Sequence, residues 1–239
     1  MLVFLAGITV WPIYTATGGE FVPLPAWYLY GGGINSTWSG DSSGPESVQL
    51  SVTMNPPPVP NQYGTAVATG SAELLQISPA TTYVFTLSAS VSGSAGYEAL
   101  TVDGNGVIAH TLIGGVGWKR YTNTFTTVGP EDPRVGRPLN VQLLVMKSGF
   151  NYGTATATFT NMQLWVSTAR PTLALQLSGS GMVELRWPTN FHWYVLESST
   201  NLADVMWEEI GEPAVTVDQQ LVVSRPTESS SRFFRLRQP

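Results

Sequence analysis

Residues 83–92, Tyr-Val-Phe-Thr-Leu-Ser-Ala-Ser-Val-Ser, decide how this chain folds. Odd-numbered positions hold Tyr, Phe, Leu, Ala and Val, while most even-numbered positions hold Ser or Thr. Alternation with a period of two is typical of a β-strand that turns one face toward an apolar core. The stretch therefore predicts a strand with Tyr83, Phe85, Leu87, Ala89 and Val91 facing inward.

Further short runs rich in Val, Thr, Leu and aromatic residues lie on both sides of this strand, and helical periodicity is missing almost throughout. Clusters of Gly, Pro, Asn and Ser separate the runs, and the Asp-Gly-Asn-Gly at 103–106 favours a tight hairpin. Strands spaced in this way indicate a β-sandwich or jelly roll. The runs of the first block are residues 47–54, 72–77, 100–102, 107–112, 118–127, 139–147 and 154–166.

A second series of short strands begins after residues 168–171, which read as a linker. We therefore expect a jelly-roll β-sandwich over 1–167 and a small fibronectin-III-like β-sandwich over 172–239, which makes the fold class all-β. The second series comprises residues 173–177, 183–187, 193–197, 207–210, 215–217, 221–224 and 232–237.

Composition limits the classes of partner. Of the 239 residues, 43% are apolar and only 11% are charged, with eleven basic against sixteen acidic side chains. No three basic residues cluster in the sequence, so nucleic acid and anionic membranes are poor partners, since both require concentrated Lys and Arg. The chain has no cysteine, which excludes disulfides and thiolate metal sites. Its polar surface must come from Ser, Thr, Asn, Gln and Gly, as is common in extracellular β proteins.

The apolar segment Met1–Ile13 contains no charged residue. Thirteen residues are too few to cross a bilayer, so we expect no membrane span. The segment is either a buried strand or the remnant of a secretory signal, although it lacks the basic start of a signal and residues 14–17 make a weak cleavage site. As a strand it would be apolar on both faces and would need cover from its own sandwich or from a neighbouring subunit.

Four stretches of the first domain follow the order found in a known family: residues 18–21 (GGEF), 75–83 (LQISPATTY), 117–126 (GWKRYTNTFT) and 157–164 (ATFTNMQL). Through them, residues 18–166 resemble the jelly-roll carbohydrate-binding modules of families 4, 9, 16 and 22. The resemblance implies a jelly roll and a polysaccharide or cell-surface glycan as partner.

The closing strand of that family carries paired aspartates that help to hold a structural calcium ion. Thr160 and Asn161 stand at that place here. Asn offers one carbonyl oxygen without a charge, so a calcium site is doubtful and we expect no cofactor.

The C-terminal segment carries its own motifs: residues 185–188 (LRWP), 196–202 (LESSTNL), Trp207 and 233–236 (FFRL). They resemble the short modules that end many large secreted proteins of the Verrucomicrobia and related bacteria. The resemblance implies export and a non-catalytic accessory role.

Catalytic chemistry finds little support in the sequence. The two histidines, His110 and His192, fall in different predicted domains, so neither a His-based triad nor a His-rich metal site can be assembled. The acidic residues of the first domain lie mostly in predicted loops, without a catalytic motif around them. We therefore predict no catalytic residue, no metal site and no enzymatic activity.

Aromatic side chains in predicted loops are the feature of the sequence that indicates a binding site. Sugar rings stack their C–H faces on Trp and Tyr, and amides beside them bond the hydroxyls, so such side chains are typical of glycan sites. The alternative to ligand binding is that each ring packs against the sandwich and holds its loop in place. We expect Trp27, Trp118 and Tyr83, in predicted strands, to be core residues. The predicted ligand-binding residues are Trp38, Tyr97, Tyr152, Asn35 and Asn151.

Together these features predict a secreted or cell-surface protein that binds a glycan. The alternative is a structural subunit of an extracellular fibre, in which Met1–Ile13 of one copy adds a strand to the next.

Overall fold

The structure is a computed structural model that describes residues 20–24, 27–57, 61–150, 152–178, 181–203, 206–227 and 231–238. The described residues belong to two compact units, which divide between Thr168 and Ala169. Met1–Ile13 and Asn151 lie outside the described residues. The self-association expected of Met1–Ile13 and the ligand contact expected of Asn151 therefore stay predictions.

The first unit is a two-sheet β-sandwich, which confirms the all-β prediction. Its strands are β1 (Glu20–Val22), β2 (Trp27–Gly33), β3 (Ser36–Ser42), β4 (Ser47–Met54), β5 (Tyr63–Gln76), β6 (Thr81–Ser92), β7 (Gly96–Val102), β8 (Val107–Leu112), β9 (Lys119–Thr126), β10 (Pro138–Ser148) and β11 (Gly153–Thr168).

Both sheets of this unit are antiparallel. The six-stranded sheet has the order β3-β4-β11-β6-β9, and β1 pairs with β11 beside this path. The five-stranded sheet has the order β2-β5-β10-β7-β8. Most neighbours in both sheets come from distant parts of the chain, and among the described strands of this unit only the hairpins β3–β4 and β7–β8 join consecutive strands. Residues 103–106 connect β7 to β8, as the sequence predicts.

Alternate residues of the long strands fill the space between the sheets. In β6 the side chains of Tyr83, Phe85, Leu87 and Ala89 are at most 1% exposed, as the alternation predicts. The Tyr83 ring stacks on that of Phe125 in β9, with 4.7 Å between the ring centroids. Burial of these apolar surfaces supplies the main stabilising free energy of the sandwich.

The outer face of the six-stranded sheet is coated with hydroxyl groups. Several form cross-strand hydrogen bonds of 2.9–3.0 Å between side chains that are exposed or partly buried. Ser and Thr thus make a polar surface without ions, as the low charge requires. The bonded pairs are Ser51–Thr156, Thr53–Thr154 and Thr82–Thr126.

The second unit contains two smaller antiparallel sheets, of order β12-β13-β17-β16 and β15-β14-β18. The fibronectin-III-like assignment of this unit stays a prediction. No helix in the described part of the chain is long and apolar enough to cross a membrane. The elements are β12 (Ala174–Ser178), β13 (Met182–Pro188), a 3₁₀ turn (Thr189–Phe191), β14 (Val195–Ser199), β15 (Glu208–Glu209), β16 (Val215–Val217), β17 (Gln220–Pro226) and β18 (Phe233–Arg237).

Two aromatic residues differ from their expected places. Trp38 belongs to edge strand β3 rather than to a loop, because the polar residues around it pair with β4. Trp118 lies just before β9 and is 57% exposed, so it is not a core residue. The core positions of β9 are instead Asn123 and Phe125. Trp27 and Tyr83 are buried, as expected.

Replacing Phe159 with alanine tests the core. Phe159 is fully buried at the centre of β11, so Phe159→Ala should lower the free energy of unfolding by about 3–5 kcal/mol. The neighbouring Thr158 points to the outer face, and Thr158→Ala should change stability by less than about 1 kcal/mol. Urea unfolding of the full chain measures both, and equal effects would contradict the inward direction of Phe159.

Candidate functional site

Side chains on the outer face of the five-stranded sheet line up in rows that cross all of its strands. Paired residues of neighbouring strands point to the same face, so the register defines each row. The first row is Tyr30, Val67, Leu144, Glu98 and Leu112, and the second is Tyr28, Thr69, Gln142, Leu100 and His110. We call these ten residues the row face.

Two tyrosines stand at one end of the rows. Tyr28 and Tyr30 are 72% and 40% exposed, and their ring centroids lie 5.9 Å apart. Their neighbours Trp27 and Leu29 face the other way: Trp27 is buried and donates its indole N–H to the Pro45 carbonyl oxygen at 3.0 Å. Tyr28 and Tyr30 are not among the residues predicted from the sequence to bind a ligand. The alternation of Trp-Tyr-Leu-Tyr at residues 27–30 nevertheless indicates that both tyrosines lie on one face of a strand.

Hydrogen-bonding groups lie farther along the same rows. Glu98 and Gln142 stand in neighbouring strands β7 and β10, and His110 stands in edge strand β8. In the same rows, Val67 and Leu100 are less than 10% exposed, although they point away from the core. The row face therefore combines exposed rings at one edge, an apolar floor, and a carboxylate, an amide and an imidazole that can bond a ligand.

Tyr97 does not face a ligand, in contrast to the sequence-based prediction. It is 5% exposed and points into the core, and its hydroxyl donates to the carbonyl oxygens of Ser92 (2.5 Å) and Gly93 (3.0 Å). Burial raises the pKa of this phenol. The reason lies in the phase of β7: Glu98 points outward to the row face, so its neighbour Tyr97 must point inward.

Trp38 and Asn35 lie near one end of the sandwich. Trp38 is 39% exposed, and its ring packs over Gly31, where an added Cβ would come within 2.5 Å of the Trp38 Cγ. Asn35 adopts the left-handed φ of 53°, and its carbonyl oxygen accepts a hydrogen bond from the Asn55 N–H. Trp38 thus helps to close the open side between β2 and β3. Its binding role, like that of Asn35, stays a prediction.

Tyr152 lies in the loop between β10 and β11 and is 58% exposed. This loop is at the same end of the sandwich as Asn35, because Gly153 and Ser36 both pair with Met54. The structure thus brings Tyr152 and Asn35 to one end, away from Tyr28 and His110 of the row face, and places Tyr97 in the core. The ligand role of Tyr152 stays a prediction.

Two carboxylates at the opposite end of the sandwich are held in ion pairs. Asp132 binds Arg134 at 2.6 Å, and Asp103 binds Arg137 at 2.9 Å. Hydrogen bonds from Arg134 lower the pKa of Asp132 to about 2. The pKa of Asp103 is also lowered, because the hydrogen bonds it accepts, with the Arg137 charge, outweigh its burial. Within the described ranges, no three His, Asp or Glu side chains gather as metal ligands.

The second unit contains a cavity of about 340 Å³ lined largely by apolar side chains, among them Trp187, Tyr194 and Leu196. The carboxylate of Glu212 at its wall forms an ion pair with Arg225 at 3.3 Å. This acid is therefore already paired within the unit.

Comparison with known proteins finds no matching family model and no matching curated protein. Among solved structures, the chain is similar to a cyclase from Fischerella sp. TAU, at 19% identity over 56% of this chain and 85% of that chain, with a TM-score of 0.37. It is also similar to the family 11 carbohydrate-binding module of a cellulosomal cellulase of Clostridium thermocellum, at 12% identity over 65% of this chain and 99% of that chain, with a TM-score of 0.39.

The likeness to the cyclases overturns one sequence-based prediction. We expected no enzymatic activity because the sequence assembles no His-based triad and surrounds no acidic residue with a catalytic motif, yet the similar structures include enzymes. The sequence-based prediction of no enzymatic activity therefore does not stand. At these identities and TM-scores the similar structures assign neither a ligand nor a reaction to this chain.

The Asp132–Arg134 pair predicts a dependence of stability on pH. The pKa of Asp132 in the folded protein, about 2, lies below its ordinary value of 3.8. The pair should therefore stabilise the fold fully above about pH 4 and lose this effect as the pH falls toward 2. Asp132→Asn should lower the urea midpoint at pH 7 and have much less effect near pH 2. An equal effect at both pH values would contradict the lowered pKa.

Proposed function

We propose that the protein binds a polysaccharide or cell-surface glycan across the row face and works outside the cell or at its surface. The observation that supports this proposal most is the alignment of exposed Tyr28 and Tyr30 with Gln142, Glu98 and His110 in two register rows. Flat rings and hydrogen-bonding side chains on one surface match the two kinds of surface that a sugar presents.

The two kinds of side chain on the row face, aromatic rings and hydrogen-bonding groups, match the two kinds of surface on a sugar. The C–H faces of a pyranose are apolar and pack against aromatic rings, while its hydroxyls require donors and acceptors. Tyr28 and Tyr30 offer the rings, and their low conformational freedom keeps the entropic cost of binding small. Gln142 donates and accepts, Glu98 accepts, and His110 can do either.

The dimensions and charge of the row face favour a neutral chain over a single sugar or a polyanion. Strands in a sheet lie about 4.8 Å apart, so five strands span roughly 19 Å. A row of this length suits several consecutive sugar rings lying across the strands. Glu98 is the one carboxylate in the two rows, which contain no Lys or Arg. A polyuronate or a sulfated glycan would therefore be repelled rather than bound.

Glycan binding is tested by affinity electrophoresis of the full chain against neutral polysaccharides such as glucans, xylans and mannans, with alginate and pectin as acidic counterparts. We expect retardation by at least one neutral polysaccharide. Tyr28→Ala should weaken it about tenfold, because one exposed ring that stacks on a sugar is lost. Gln142→Ala should weaken it as well, since it removes a donor and an acceptor.

Tyr152→Ala is the matched control, because Tyr152 is similarly exposed but lies at the end of the sandwich. It should leave retardation unchanged. Loss of binding in Tyr152→Ala with full binding in Tyr28→Ala would move the site to the loops that the sequence singled out. Absence of retardation by every polysaccharide would refute glycan binding itself.

A further inference from the structure

Five loops of the first unit meet at one end of its sandwich. They join β2 to β3, β4 to β5, β6 to β7, β8 to β9 and β10 to β11. The register brings them together: Gly33 pairs with Gly64, Tyr63 with Ser148, and Ser36 with Met54. We call this the apolar end.

Large apolar side chains project from four of these loops or their flanking residues. Val116, at the tip of the loop between β8 and β9, is 97% exposed, and the others are each more than half exposed. Exposed apolar groups gathered in one region of a monomer mark a contact surface. The exposed set is Ile34, Tyr63, Val116, Trp118, Phe150 and Tyr152.

The β8–β9 loop is anchored at its base by core packing and by hydrogen bonds. Its base is fixed by Ile113, which is buried in the core and donates its N–H to the Tyr97 carbonyl oxygen at 2.8 Å. The Tyr121 hydroxyl donates to the Gly114 carbonyl oxygen (2.7 Å) and accepts from the Gly114 N–H (3.1 Å). These contacts fix the loop up to Gly114, two residues before Val116, which lowers the ordering entropy that docking of the loop would cost.

Charge divides the two ends of this sandwich. The sequences of the five loops contain no Asp or Glu, and Lys119 and Arg120 follow Trp118 directly. The loops of the opposite end carry Glu46 and Glu131 in addition to Asp103 and Asp132, which are each paired to an arginine. The apolar end is therefore weakly positive on a chain with a net charge of −5.

We propose that the apolar end docks on a lipid bilayer, with Val116, Ile34 and Phe150 entering the boundary between headgroups and acyl chains. Trp and Tyr are the residues that favour this boundary, because their rings are apolar and their polar atoms meet water and headgroups. Trp118, Tyr63 and Tyr152 supply them. Lys119 and Arg120 are both exposed at the start of β9, so their charges lie near the headgroups and add attraction to anionic lipid.

The sequence alone makes anionic membranes poor partners, because no three basic residues cluster in it. The docking proposed here depends mainly on apolar insertion, and the inserted residues are far apart in sequence. A membrane suits the apolar end better than a sugar does, because the exposed groups of this end are mostly apolar. Its loops also present few charged partners for the hydroxyls of a sugar. The proposal is independent of glycan binding by the row face.

Vesicle sedimentation of the full chain tests docking, with phosphatidylcholine alone and with phosphatidylcholine containing phosphatidylglycerol. We expect binding to the mixed vesicles that weakens with added salt. The double variant V116S/W118S should weaken binding at least about tenfold, because two inserted side chains become polar or small. V128S is the matched control: Val128 is equally apolar and well exposed but lies after β9, at the opposite end. It should bind as the parent chain does.

Two further readouts separate lipid from other occupants. Brominated phosphatidylcholine in the mixed vesicles should quench tryptophan fluorescence of the parent chain, and Trp118→Phe should bind while losing most of that quenching. Lack of sedimentation with both vesicles would overturn the proposal, as would equal loss in V128S. The proposal would also be overturned if the parent chain formed dimers, V116S/W118S were monomeric, and neither bound vesicles. The apolar end would then be a contact between two copies of the chain.

Discussion

The packing of alternate residues from β6 and β11 between the two sheets fixes the surfaces of the first unit. A slip of one residue in a strand would exchange its inner and outer side chains, so burial of Phe85 and Phe159 enforces one register. Strand β11 contains a bulge between Thr160 and Gln163, and Asn161 there has a φ of 52°. The irregularity changes which positions point inward: Phe159 before it and Leu164 after it are both fully buried. The two halves of one long strand thus serve the same core.

Sequence reasoning succeeded where the information is local. The alternation of residues 83–92 identified β6 and its inner face, and the turn residues at 103–106 identified the β7–β8 hairpin. It failed where the phase of a strand depends on where the strand begins. The Gly/Ser-rich residues before Tyr97 predict a loop, but β7 starts at Gly96 and turns Tyr97 into the core. The polar residues around Trp38 also predict a loop, but they form edge strand β3.

The row face as a whole could not be predicted from the sequence, although the alternation of residues 27–30 marks its two tyrosines. Its members come from strands β2, β5, β10, β7 and β8, of which only the last two are adjacent in the chain. Their alignment arises from long-range pairing, which no local pattern encodes. The apolar end is of the same kind, since Ile34 and Phe150 become neighbours of one surface only when ten strands have paired. Low charge describes the surface of this protein and does not decide whether it acts on a substrate.

The hydroxyl coat of the six-stranded sheet has a consequence for the environments the protein can tolerate. Ser and Thr side chains such as Ser51 and Thr156 bond to one another and to water in the same way at any acidity at which the backbone is intact. Dissolved ions do not screen such bonds as they screen surface ion pairs. A sheet face covered with hydroxyl groups therefore keeps its hydration when the salt concentration or the acidity of the solution changes.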